Sequence, residues 1–383
     1  MAKFLATDKL KLIDKLIGTP VGYILGSFDR ICRLIRKPGP LATPNKILAI
    51  CWIGLGDVIL TLPAIKSLRQ KYPQAKISYF TTPRATEVLK GVPEISEVII
   101  YDPTSPKASV VNIVETVNRL RTEKFDLTVD FSQRYRLPIL MAYLAGIPHR
   151  IGFAIPGQGR SWLLTQSTPY IWPLAEPKAF GQIITKILLA PNVSDSLPKL
   201  DFPQTNPKLN QQQSNIVLHL GSGNALTTRR WPDQNFLELA IELIKSTNDL
   251  IVLTGTKDDA DLAASIVRQL PEKTLDLTGK TTLPELYQVF SQAKLAISCD
   301  TGPMHLAAAS GTPTLGLFLA SFPEKWRPYG PQHAYLYHGP SLNDYYSKYH
   351  HFIQHPRPQD IQNINVEEVI RQAIIMLRKH ENK

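Results

Sequence analysis

From residue 46 onward, short apolar runs alternate with stretches in which apolar residues return every three to four positions. The runs 46–52 (KILAICW), 77–80, 97–101 and 127–131 are rich in β-branched and aromatic residues, which marks them as buried strands. Segments 58–72 and 110–122 carry the helical period between them. After a polar, glutamine-rich stretch at 204–214 the alternation resumes, with strands at 215–220 (NIVLHL), 250–253, 275–277, 295–298 and 314–318. Helical periods fall at 236–245, 258–270 and 283–292. Strand and helix in turn build parallel, doubly wound sheets, so the chain reads as α/β with two Rossmann-like domains. The stretch 204–214 reads as the linker between them.

The first forty residues follow a different pattern. Leu10, Ile13, Leu16 and Ile17, then Leu25, Phe28, Ile31, Cys32 and Ile35, recur at helical spacing among eight bases (Lys3, Lys9, Lys11, Lys15, Arg30, Arg33, Arg36, Lys37) and three acids (Asp8, Asp14, Asp29). Eight minus three leaves +5 on this segment, a basic amphipathic pattern. Thr19-Pro20 is expected to divide it into two helices, and Pro38-Gly39-Pro40 to link it to the rest. No uncharged run approaches the ~20 residues that span a bilayer, and charges continue past every apolar patch, unlike a secretory signal. Two readings stay open: docking to an anionic membrane surface, or packing on the protein's own surface.

Composition narrows the partners. The 383 residues, 43% apolar, suffice for two ordinary cores, and a net charge of +11 points to anionic partners. Nucleic acid is disfavoured, because the bases gather at the amino terminus without interleaved stacking aromatics. The three cysteines, Cys32, Cys51 and Cys299, are far apart and no Cys/His set has zinc spacing, so no metal site is expected and a reducing cytoplasm fits. Cys51 and Cys299 read as small buried hydrophobes.

Chemistry concentrates where strands give way to helices. After the strand ending at Ser298 come Asp300, Thr301, Gly302, Pro303 and His305, then an Ala-rich helix. Asp300 and Thr301 are good cap types, Pro303 suits a first helical turn, and the free amides with the helix dipole would face an anion. Gly302 permits close approach and His305 adds a donor; an ordinary cap gives the same local pattern. After the first strand, Gly54-Leu55-Gly56-Asp57 makes a close turn that lacks the third glycine of a dinucleotide fingerprint. Asp57 then stands where open α/β sheets bind ligands, as a proton acceptor or a plain cap.

Gly54-Leu55-Gly56-Asp57-Val58 with Leu62-Pro63-Ala64, then His219 with Gly221-Ser222-Gly223, then Arg229-Arg230-Trp231-Pro232, and finally 300–308 (DTGPMHLAA) resemble the heptosyltransferase family, glycosyltransferase family 9, in order and spacing. The resemblance covers about 46–330. It implies a GT-B fold of two Rossmann-like domains facing a central cleft, an acceptor domain at 41–203 and a donor domain at 215–360 on either side of the linker at 204–214, with a helix at 361–383 bracing the first domain; the basic extension at 1–40, read from composition, is absent from compact members of the family. It also implies inverting, metal-independent transfer of a sugar, heptose or related, from a nucleotide-diphosphate donor, ADP-sugar first, to a lipid-linked or lipopolysaccharide-type saccharide, without a cofactor.

By the same resemblance Asp57 is the base, with Gly54 and Gly56 in the acceptor-side loop. Arg229, Thr301, Gly302, His305 and Ser222 contact the donor phosphates, and Asp300, Asp259 and Thr281 contact its sugar or nucleoside. Asp300 has helix capping as its alternative, and Asp259 and Thr281 the bland role of exposed helix-start residues. Trp326-Arg327-Pro328-Tyr329-Gly330 would close a loop over the donor. His149 and Arg150 read as a solvated loop, with the acceptor side as alternative, and Tyr345, Tyr346, Tyr349, His350 and His351 as surface packing. The expected enzyme is peripheral on the inner face of the cytoplasmic membrane. A GT-B nucleotide-sugar epimerase and a non-enzymatic nucleotide-sugar-binding protein remain alternatives.

Overall fold

A computed structural model describes residues 2–35, 39–52, 54–103, 110–172, 174–203, 215–221, 227–349 and 363–381. The chain forms two compact units, residues 1–171 with 177–194, and residues 172–176 with 195–383.

In chain order the first unit contains α1 (Ala2–Ile35), β1 (Lys46–Ile50), α2 (Leu55–Lys71), β2 (Lys76–Thr81), α3 (Thr86–Lys90), β3 (Glu97–Ile100), α4 (Val110–Glu123), β4 (Leu127–Asp130), α5 (Leu137–Leu144), β5 (His149–Ala154), β6 (Gln166–Pro169) and most of α6 (Glu176–Gln182). Its sheet runs β3-β2-β1-β4-β5-β6, every neighbouring pair parallel. This strand order reverses direction between β1 and β4, and the crevice outside the carboxyl ends of such strands is the natural ligand position. Leu48, Ile50, Trp52 and Phe80 form the centre of its core, with Trp52 stacked on Tyr101 at 5.0 Å and edge-on to Phe80.

The second unit contains β7 (Asn215–His219), α7 (Asp233–Thr247), β8 (Leu250–Thr254), α8 (Ala260–Gln269), β9 (Thr274–Asp276), α9 (Leu283–Ser291), β10 (Leu295–Cys299), α10 (Gly302–Ala309), β11 (Thr314–Phe318), α11 (Pro323–Trp326), β12 (Ala334–Tyr337), α12 (Leu342–Tyr349) and α13 (Val366–Glu381). Its sheet, β12-β11-β10-β7-β8-β9, is again parallel and has its reversal between β7 and β10. Residues 172–176 belong to it: the Lys325–Glu176 ion pair at 3.1 Å is fully buried, and Lys325 Nζ also donates to the Leu174 carbonyl.

Several expectations are corrected. The basic amino-terminal segment is one helix rather than two, with Pro20 inside it. A mid-helix proline costs roughly 3 kcal/mol, less where the abandoned carbonyl can meet water. Pro20 and Leu16 are both exposed, and the opposite side of α1 is held by packing. That packing is close because Gly18, Gly22 and Gly26 recur every four residues on the inner side: a Cβ on Gly26 would fall 2.4 Å from Trp162 Cβ. Asp14 accepts from the Arg136 and Leu137 amides at 2.9 to 3.0 Å, and Asp29 pairs with Arg150 at 3.0 Å. Arg150 is therefore a buried anchor, neither a solvated loop nor an acceptor contact, and His149 opens β5 beside it. No helix among the described residues is long and apolar enough to cross a membrane.

α13 packs within the second unit. It buries Val369, Ala373 and Leu377 in the core of the second unit with Phe236, and the Trp231 indole donates to the Ile364 carbonyl just ahead of it at 2.9 Å. An amphipathic helix follows the nearest matching apolar surface, and here α7 supplies it. The division between units falls at Ser194, before the proposed linker at 204–214, which lies outside the described residues.

Candidate functional site

β10 ends at Cys299, where its parallel neighbours β7 and β11 flank the strand-order reversal of the second sheet. Thr301 follows in extended conformation (φ −145°, ψ 169°) as the cap of α10, with Gly302 and Pro303 in the first turn. The Thr301 hydroxyl does not cap. It donates to the Cys299 carbonyl at 3.3 Å, so no side chain of the cap takes the first-turn amides. Amides without a side-chain cap among the described residues, at the positive dipole end of a helix and the carboxyl edge of a parallel sheet, suit an anion.

Asp300 is buried just before that turn, and Ser321 after β11 donates its hydroxyl to the Asp300 carboxylate. Arg229 Nη1 stands 3.3 Å from the same carboxylate, while its Nε is buried with no acceptor among the described residues. The pair fixes the guanidinium beside the α10 start and leaves donor capacity over. Asp300 is thus not the cap, which removes the capping alternative. His305, one turn into α10, is 3% exposed with Nδ1 unpartnered among the described residues, and burial pushes its pKa down to about 4. Asp300 opposes that shift and Arg229 adds to it, leaving a neutral imidazole at neutral pH.

The turn after β7 is built by close approach. A Cβ on Gly221 would lie 2.8 Å from Asp259 Oδ2 and 3.4 Å from His219 Nε2, so a side chain here would displace the Asp259 carboxylate. Asp259 is buried, contrary to the exposed helix-start reading, and accepts from the Thr256 amide at 2.8 Å, the Thr256 hydroxyl at 2.9 Å and Arg230 at 2.6 Å. Burial raises its pKa, yet these bonds outweigh burial and hold it below the ordinary carboxylate value. Its carboxylate braces Arg230 and the β7 turn. Thr281 is half-buried one residue ahead of Thr282, the cap of α9. Ser222 and Gly223 lie outside the described residues.

In the first unit, α2 starts at Leu55, so Asp57 sits in the first helical turn rather than before it, in the loop region beyond β1. Its Oδ2 accepts the Gly54 amide at 3.2 Å; Asp57 and Gly56 are half-buried. Gly54, not Asp57, is the cap residue. Trp326 and Tyr329 are buried, with Trp326 edge-on to Trp172 at 6.3 Å, so this segment packs within the second unit. Tyr345 is likewise core, against Phe322, and His350 and His351 fall outside the described residues. Among the described residues no group of three His, Cys, Asp or Glu side chains forms a metal site. Sequence reasoning missed Ser321, which holds Asp300 from across β11; a serine after a strand gives no signal of that contact.

Residues 113–341 match the family described as Glycosyltransferase family 9 (heptosyltransferase). Lipopolysaccharide heptosyltransferase 3 of Escherichia coli is 30% identical over 292 residues, covering 72% of this chain and 83% of the relative. Among solved structures, the glycosyl transferase family 9 protein from Veillonella parvula DSM 2008 superposes with a TM-score of 0.74 at 22% identity, over 88% of this chain and 98% of that one. The E. coli ADP-heptose lps heptosyltransferase II gives 0.67 at 22% identity, over 88% and 99%. Both share the two-unit fold.

Proposed function

The chain belongs to glycosyltransferase family 9 and is a glycosyltransferase of GT-B fold; from that premise we propose that it moves a heptose from ADP-heptose to a lipopolysaccharide core saccharide, with inversion and without a metal ion. The donor and acceptor classes are those in the names of its relatives. The observation that carries the reading is the Arg229–Asp300 pair fixed beside the first-turn amides of α10. That arrangement supplies fixed positive charge for a diphosphate.

In this reading the donor diphosphate lies on the Gly302 amide and the Arg229 guanidinium, with His305 as neutral donor, Thr301 alongside and Ser222 on the β7 turn. Asp300 aligns Arg229 and takes a donor-sugar hydroxyl with its remaining acceptor capacity; Asp259 and Thr281 border the nucleoside. Asp57 takes the proton from the acceptor hydroxyl as its oxygen bonds to the anomeric carbon, in the loop that Gly54 and Gly56 shape. The bond from that carbon to the bridging oxygen breaks, and the electron pair leaves with ADP. Negative charge grows on the diphosphate as it departs, and the Arg229 and α10 groups meet it there.

The enzyme works as a peripheral protein on the cytoplasmic face of the membrane, attached through α1. Packing on the first unit and membrane docking are compatible, because α1 uses opposite sides for the two. The test is to incubate the full chain with ADP-, GDP- and UDP-sugars and truncated lipopolysaccharide, following stereochemistry by NMR. Acceptor-dependent release of ADP with an inverted linkage is expected. Isomerised nucleotide sugar without acceptor would instead make it an epimerase, and ligand binding with no turnover a binding protein.

A further inference from the structure

The outward side of α1 carries large exposed apolar residues, and its inward side carries glycines and an aspartate. Asp14, Gly18, Gly22 and Gly26 face the first unit, whereas Leu12, Leu16, Ile17, Ile24, Phe28 and Ile31 are each 55–68% exposed. At 3.6 residues per turn these six fall within an arc of about 160°. Arg30, exposed, lies on the edge of that arc at the angle of Leu12, and Lys15, also exposed, falls about 60° beyond that edge.

Beside the carboxyl-terminal end of α1 the first unit opens a cavity of about 720 Å³, and Ile31 lines it while also belonging to the apolar arc. Arg30, Arg33, His149, Ser161, Thr165 and Ser167 stand in its wall. The Arg30 guanidinium lies 4.0 Å over the Trp162 ring and has no carboxylate among the described residues. Arg33 pairs with Asp29 at 2.6 Å and donates to the Leu164 carbonyl at 3.2 Å, with Nε unpartnered among the described residues. Asp29 is shared with Arg150. Two guanidiniums and an imidazole therefore line the cavity, and the one carboxylate that pairs with Arg33, that of Asp29, is shared with a third guanidinium, Arg150. Hydroxyls complete a set of donors suited to phosphate oxygens.

We propose that this cavity seats the phosphodiester headgroup of an anionic phospholipid whose acyl chains lie along the apolar arc of α1. The lipid, rather than a free anion, is indicated by the continuity of the charged cavity with the apolar arc at Ile31. The proposal rests on the reading of α1 as a membrane-docking helix and adds a defined site to it.

Flotation of the full chain with phosphatidylcholine vesicles, with and without 30% phosphatidylglycerol, tests both levels. Ile24→Ser with Phe28→Ser, both exposed, is expected to abolish flotation; retained flotation, or no flotation of the unaltered chain, overturns the docking reading and the seat together. Arg30→Gln is expected to weaken binding to phosphatidylglycerol vesicles by at least about tenfold, as loss of a charge-assisted contact does. Lys15→Gln, an exposed cation about four turns of α1 from the cavity, is expected to cost about fivefold or less, the usual effect of one surface cation. Equal losses from Arg30→Gln and Lys15→Gln overturn the seat and leave docking intact. Water-soluble dihexanoylphosphatidylglycerol is expected to shift the His149 ring resonances at concentrations where inorganic phosphate does not; an equal response to phosphate overturns the assignment to lipid.

Discussion

Replacing Arg229 with alanine separates recognition of phosphates from recognition of the nucleoside. The Arg229 side chain is 20% exposed and its Nη1 lies 3.3 Å from an Asp300 carboxylate that is itself 6% exposed. A unit charge 4 Å from a phosphate oxygen is worth about 4 kcal/mol at an effective dielectric of 20, before desolvation. Charge-assisted hydrogen bonds retain roughly 1.5–3 kcal/mol of that, so the upper half of this range corresponds to ADP binding weakened about 45- to 150-fold. Adenosine carries no phosphate and should bind within about twofold of its original affinity. Arg229→Lys keeps the charge without the fork and should fall between. Calorimetry with ADP and adenosine at two salt concentrations reads all of this, and the salt dependence for ADP should flatten in the alanine variant. Removing Arg229 also leaves Asp300 facing Ser321 alone, so the ligand-free melting temperature must be measured beside the affinities. Parallel loss of ADP and adenosine binding, or no loss of either, would refute the placement of the diphosphate at Arg229.

Asp57→Asn should lower kcat by at least ~100-fold with donor affinity within a few-fold, the scale of general-base loss; a matching loss of donor binding would count against a base. Binding of ADP should take up protons in mildly acidic buffer, because a phosphate beside His305 raises a pKa that burial holds at about 4. Affinity then rises as pH falls between the bound value and 4, and calorimetry in two buffers of different ionisation enthalpy checks it. His219, His305 and His333 are all held down near 4 by burial, against an unfolded value near 6.5. The unfolded chain therefore binds more protons below 6.5, and stability should be intact above that pH and fall as pH drops toward 4, by up to three protons. Urea midpoints between pH 7 and 5 that stay flat would contradict the buried, neutral state of these rings. Gly26→Val should loosen α1 from the first unit, since even Cβ would stand 2.4 Å from Trp162, while Gly39→Ala, with nothing within 4 Å, should change nothing. Hydrogen exchange over residues 2–35 reads the difference.

Central strands were legible because burial on both faces leaves nearly continuous apolar runs: β1, β7, β10 and β11 differ from the sequence reading by two residues or fewer at either end. β5 and β6 were not, because His149, Arg150, Gln166 and Ser167 put polar side chains on strands, and the partner that buries Arg150 is Asp29, 121 positions away. The α10 turn was legible for a related reason: cap, glycine and proline act within a few residues of one another. Ser321 and the true setting of Asp259 depend on contacts made across strands and turns, which no local pattern encodes. The same limit applies to α1. Apolar spacing showed an amphipathic helix, but the repeat Gly18, Gly22, Gly26 decides which side packs, and it places the apolar side outward.

That choice of side has a consequence for the proposed base. α1 contacts the backbone at Gly159 and Trp162, on either side of Arg160, whose guanidinium is fully buried against the Asp130 carboxylate and the Ser132 carbonyl. Ser132 in turn receives the Trp52 amide at 3.3 Å, two residues before the Gly54–Asp57 turn. The helix and the turn are therefore joined within the first unit through buried hydrogen bonds and an ion pair that cannot be broken singly without leaving a buried charge or polar group unpaired. The connection is one of position: it requires no motion and transmits no signal. If α1 lies on a lipid surface through its apolar arc, the orientation of that unit against the surface, and with it the direction in which the Asp57 turn opens, is set by the glycine side of the helix. Loosening Gly26 should then impair transfer to a membrane-held acceptor more than transfer to a detergent-dispersed one, and equal impairment of the two would separate attachment from orientation.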